Sequence, residues 1–139
     1  MMQYLPLSKR EPEDLGVRLE LQLAAWLAYF GPLNTPMGLS HELGRRIGAS
    51  YDVPHGITSC IVLAPSLQVL REHIAEERWR VLSEALGGDP PERVSSLVDE
   101  LGLPDSLRGA GVPKGDLESI AGEYGEREEE VREILRVAY

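Results

Sequence analysis

Along this chain apolar residues recur mostly at helical spacing, and clusters of Gly and Pro divide them into segments. Between Pro12 and Phe30 two patterns compete. Leu15, Val17, Leu19, Leu21 and Leu23 alternate as in a strand, while the Leu, Ala, Glu and Arg content and an unbroken run of nineteen residues favour a helix. Helix is the expectation, continuing through Ala24-Ala25-Trp26-Leu27-Ala28 as a segment buried nearly all round, with Trp26 and Tyr29 in a core. Residues 1–11 carry Pro6, two basic residues and no periodicity, and read as an extended lead-in. Residues 12–139 read as a single helical domain.

From Pro36 to Pro65 the pattern reads helix, short loop, helix. Thr35 is suited to N-cap the first helix, Pro36 to its first position, where a missing N–H costs nothing, and Gly48 to its end. Asp52 is placed to cap the second helix and Pro54 to open it, which sets His55 beside the free N–H groups of a helix start. A long helical stretch follows from Ser66 to Leu86, with a kink or break expected at Ala64-Pro65. Its apolar face includes Leu67, Leu70, Ile74, Trp79 and Leu82, and His73 sits among its surface charges. Pro91–Leu101 is amphipathic, residues 102–115 form a Gly- and Pro-rich connector with at most one turn around Asp105 to Arg108, and Asp116–Tyr124 and Glu126–Tyr139 are the closing helices. The fold class is all-α, a multi-helix bundle.

Composition narrows the partners. A chain of 139 residues can hold a core without staples. Its net charge of −9 argues against nucleic acid or an anionic membrane as a partner. The single cysteine, Cys60, lies in an apolar run where a thiol packs as a small hydrophobe. With neither a signal-peptide pattern nor a membrane-length apolar run, the expected compartment is the cytoplasm.

The candidate chemistry rests on His41 and His55, fourteen residues apart. His41 lies roughly 10 Å along a helix from Gly48, and the five residues Ala49–Val53 can span about 16 Å, so both rings can face one point. The geometry permits a shared metal and does not require one. The alternative is one capping histidine and one partly buried one. Glu126, Glu128, Glu129 and Glu130 belong at a positive helix N-terminus and need no metal to explain them.

Gly38-Leu39-Ser40-His41, Gly48-Ala49-Ser50-Tyr51, Pro54-His55-Gly56 and the apolar Cys60-Ile61-Val62-Leu63 together resemble the signature of the iron-containing alcohol dehydrogenase and maleylacetate reductase family. With the lead helix and the closing Ile134-Leu135-Arg136-Val137-Ala138-Tyr139, the resemblance covers nearly the whole chain after its first ten residues. It implies the C-terminal, all-helical metal-binding domain of that family, a dehydroquinate synthase-like helical domain, with His41 and His55 as two ligands of a catalytic iron or zinc.

The departures matter as much. The resemblance implies an earlier Asp-x-x-x-His pair as the other ligands, and this chain has none, so its Fe(II) or Zn(II) site is incomplete. Nor is there a glycine-rich strand-to-helix turn for a dinucleotide, so NAD(P) would enter only through a separate nucleotide-binding chain. Arg45 and Ala64-Pro65 stand where the family often has further histidines.

The leading expectation is a truncated or split oxidoreductase of this family, inactive by itself. Another is a non-catalytic helical module that buries apolar surface as a homo-oligomer. A remote third, helix-turn-helix DNA binding, is suggested by Leu43–Val62, but Pro54–Leu70 contains no Arg or Lys.

Overall fold

A computed structural model describes residues 2–30 and 36–139. The fold is all-α, with no strand among the described residues. The chain divides into two compact units, Met1–Gly38 and Leu39–Tyr139.

In the first unit, Tyr4–Arg10 forms helix α1 where an extended lead-in was expected. Pro6 is harmless there because it occupies the first turn, whose N–H groups have no helical partner, while Lys9 and Arg10 suit the negative C-terminal end. Helix α2 runs Leu15–Tyr29, and α1 packs on it. Asp14 caps it, its Oδ1 accepting from the Gly16 N–H at 2.8 Å and the Val17 N–H at 3.1 Å. The expected helix is present, but the expected burial is not. Val17 is buried, whereas Trp26 and Tyr29 are 61% and 66% exposed and belong to no core.

The second unit opens with α3, Leu39–Tyr51, and α4, His55–Val69, joined by a three-residue loop into a hairpin. Pro36, placed at a helix start by the sequence pattern, lies before the helix, and Thr35 lies outside the described residues. Gly48 does not end α3. It is buried inside it, and the left-handed residue that stops the helix is Asp52, with φ of 53°. Asp52 therefore terminates α3 instead of capping α4, whose N-cap is Pro54.

Pro65 neither breaks nor ends α4, which continues to Val69 before tightening into a 3-10 turn, Leu70–His73. The real interruption is at extended Ile74, and α5 spans Glu76–Leu86. Asp89 and Pro90 open α6, Pro90–Leu101, and Gly102 closes it in the left-handed conformation. Helix α7 is Leu117–Gly122 and α8 is Glu128–Ala138.

The core belongs to this second unit. Leu39, Leu43 and Ile47, one turn apart on α3, meet Ile61 and Val62 of α4 and Val131, Ile134, Leu135 and Ala138 of α8. Helix α4 is the central element, packing against α3, α6 and α8. The Gly-Pro connector also contributes, because Leu107 and Val112 are buried in the same cluster and the Leu107 N–H donates to the Ala138 carbonyl at 2.8 Å.

Candidate functional site

His41 and His55 come together. Their ring centroids lie 4.7 Å apart, nearly perpendicular at 85°. His41, Arg45, Gly48 and Ala49 form one stripe of α3, and with His55 they line an open depression of about 460 Å³. The floor is available because Gly48 and Ala49 carry almost no side chain between the rings.

Close approach of α3 to α4 sets this geometry. A Cβ on Gly48 would lie 2.8 Å from the Val53 carbonyl oxygen, and one on Gly44 would lie 2.6 Å from Ser59 Oγ and 3.2 Å from its Cα. The buried Thr58 hydroxyl donates to the Gly44 carbonyl at 2.6 Å, with the His55 carbonyl also within 3.0 Å. The Val53 N–H donates back to the Gly48 carbonyl at 3.2 Å. His55, the first residue of α4, is thus fixed by a short loop and two helices held almost backbone to backbone.

The donors present are two imidazoles, a ligand type that suits iron and zinc. They are only part of a set, since catalytic zinc sites use three protein ligands. No carboxylate lines the depression, and Arg45 and the α4 N-terminus add positive potential. Among the described residues there is no cluster of three or more His, Cys, Asp or Glu suited to a metal. The site fits a metal only if further donors join it.

His73 is exposed and is not part of this group. Its Nε2 lies 3.1 Å from Glu130 Oε1. Cys60 is half-buried, and burial pushes its thiol up from the ordinary value. It borders a second depression, of about 540 Å³, with Ala64, Ser95 and Asp99.

Sequence reasoning missed the ties that hold the C-terminal half of α3 to residues far along the chain. The Tyr51 hydroxyl donates to Asp116 Oδ2 at 2.9 Å, and Arg46 forks onto Glu123, its Nε donating to Oε2 at 2.6 Å. Burial, and then the bond to Asp116, push the Tyr51 phenol up; the Arg46 guanidinium holds the Glu123 carboxyl below the usual range. These partners are 65 and 77 residues apart, and no local pattern announces them.

Fold and site define a helical domain presenting a histidine pair across a hairpin. The family model described as "Fe-containing alcohol dehydrogenase family, C-terminal" matches residues 1–133, and the chain belongs to that family. Maleylacetate reductase of Pseudomonas aeruginosa is 33% identical over 112 residues, covering 80% of this chain and 32% of that protein. Maleylacetate reductase of Rhizobium sp. is 28% identical over 121 residues, covering 87% and 34%. Lactaldehyde reductase of Escherichia coli is 28% identical over 114 residues, covering 73% and 30%. The chain spans about a third of the length of these curated relatives. No solved structure matches it.

Proposed function

We propose that this chain is the metal-domain part of an NAD(P)-dependent alcohol or aldehyde oxidoreductase, in which His41 and His55 are two of the ligands to a catalytic iron or zinc. The observation that carries this reading is the meeting of the two rings, 4.7 Å apart, on a hairpin whose helices pack closely at Gly44 and Gly48. The remaining donors and the nucleotide-binding domain come from polypeptide outside these 139 residues. When bound, the metal supplies Lewis-acid polarisation of a substrate oxygen, and the nicotinamide supplies the hydride.

What this chain itself does is hold. His41 and His55 present ring nitrogens from two helices, and Gly48 and Ala49 leave room beside them. Arg45, on the same rim, is placed to attract an anionic substrate group. Two donors fall short of the three a catalytic zinc needs, so the chain by itself is inactive in this reading.

Native mass spectrometry of the untagged protein, purified from its own source without chelator, tests the proposal. A heteromer carrying one transition-metal ion per copy, lost in the His41→Ala, His55→Ala variant, is the expected result. A metal-free homo-oligomer would overturn it and leave a non-catalytic helical module, a reading favoured by the large apolar residues exposed on α2.

A further inference from the structure

With 23 Asp and Glu against 14 Lys and Arg, a guanidinium in this chain finds a partner easily. From Leu39 onward, eight of the ten arginines hold a carboxylate, a backbone carbonyl or an aromatic ring. Four of them reach a glutamate three or four residues away, as Arg80 does Glu84. Arg45 has no such partner among the described residues. Three and four residues after it α3 offers Gly48 and Ala49, and Glu42, three before it, is turned to Arg127 at 4.0 Å. Its neighbour Arg46 is committed to Glu123. Arg78, the other exception, lies on α5. Arg45 alone among these arginines lines the depression that holds His41 and His55.

We propose that Arg45 is a specificity-determining residue of this site, holding the carboxylate of a short oxo or hydroxy acid while the reacting oxygen lies at the histidine pair. The inference rests on the reading of His41 and His55 as metal ligands.

Charge and shape both point to a carboxylate. A guanidinium is a planar fork of donors that matches a carboxylate with two parallel hydrogen bonds, and such charge-assisted bonds are stronger than neutral ones. No Asp or Glu lines the depression, so no side chain there competes with an incoming acid. A neutral alcohol would leave the guanidinium to water.

The spacing sets the length of the substrate. His41 and Arg45 lie one turn apart on α3, with Cβ atoms about 5–6 Å from each other, so roughly two or three carbons separate the carboxylate from the reacting oxygen. The depression, of about 460 Å³, has room for a molecule of that size, and Gly48 and Ala49 leave the helix surface beside Arg45 open. Arg45 would grip the carboxylate in ground and transition state alike, so its contribution falls on KM more than on kcat.

The test uses the metal-loaded complex purified from the protein's own source, in the wild type and in the Arg45→Gln and Arg45→Lys variants. Two quantities are read: the ratio of kcat/KM for succinic semialdehyde over butanal, and the calorimetric affinity for succinate, which is not turned over. The wild type is expected to favour the semialdehyde. Arg45→Gln is expected to lower both the ratio and the succinate affinity by about 10–100-fold, with the kinetic loss in KM, and Arg45→Lys to keep part of each. The melting temperature is expected to stay the same, because Arg45 is exposed. Either quantity unchanged in Arg45→Gln, in a complex that still holds its metal, would overturn this inference alone. A complex that dissociates or loses its metal in Arg45→Gln would overturn it too, since Arg45 would then serve a carboxylate of the other polypeptide. A wild type without metal would overturn the metal reading, and this inference with it.

Discussion

At the scale of single residues, the histidine pair depends on a glycine that carries no chemistry. Helix propensity alone would make Gly48→Ala stabilising by up to about 1 kcal/mol in a helix interior. Here the added methyl meets the Val53 carbonyl at 2.8 Å, and that carbonyl belongs to the loop leading into His55. Gly48→Ala is therefore expected to cost about 1–3 kcal/mol in urea denaturation and to separate the rings. Thr58→Val, nearly isosteric, removes the donor to the buried Gly44 carbonyl and should cost about 1–3 kcal/mol. Either variant matching wild type would mean that the α3–α4 contact is looser than these distances require. Gly48 also shows where a single sequence misleads, because a glycine that ends a helix and one that lets two helices touch look alike until the partner is known. His55 was legible because Pro54 marks a helix start locally, and its placement survived even though Asp52 turned out to serve the other helix.

At the scale of elements, what was legible followed periodicity, and what was not followed contacts distant in sequence. Helices α6 and α8 carry regular apolar spacing and were expected as helices, and α2 was expected as one on its composition and length against an alternating pattern. Leu107 and Val112 sit in a stretch whose Gly and Pro content signals only a connector, yet the connector closes on α8 and fills the core. Pro6 and Pro65 read as breakers, although a proline in the first turn displaces no hydrogen bond and a helix packed on three neighbours tolerates one inside.

The tie between α3 and α7 gives a pH dependence. The Tyr51 phenol is raised by burial and by its bond to Asp116, and the Tyr124 phenol by burial and by nearby Glu42. A raised acid is favoured neutral in the folded state, so this stability is complete below the unfolded tyrosine value of about 10 and is lost as pH rises through the folded value. The melting temperature is expected to fall as pH rises beyond about 10, and Tyr51→Phe with Tyr124→Phe to flatten that fall. On the acid side the sign reverses. Glu123 and Glu133 are held low by Arg46 and Arg136, so their contribution is present above about pH 4.3 and fades as pH drops through their folded values.

At the scale of the whole molecule, the buried cluster and the exposed large apolar residues of α2 lie, among the described residues, in different units. Every residue of the buried cluster comes from Leu39 onward, whereas Leu15, Leu19, Leu23, Trp26, Leu27 and Tyr29 are exposed on α2. The 101 residues of the second unit are enough to bury roughly 60–70% of the surface of their unfolded chain. The 38 residues of the first unit are not enough to form such a core, and isolated helices of about 12–15 residues are marginal in water. Amide protection should therefore separate the two. In hydrogen exchange followed by mass spectrometry, α3, α4 and α8 are expected to exchange only through global unfolding. Helix α2, in which Val17 is buried, is expected to exchange faster than these core helices. Equal protection in α2 and the core helices would mean that α2 opens only together with the core, and the independence of the two units' stability would have to be abandoned.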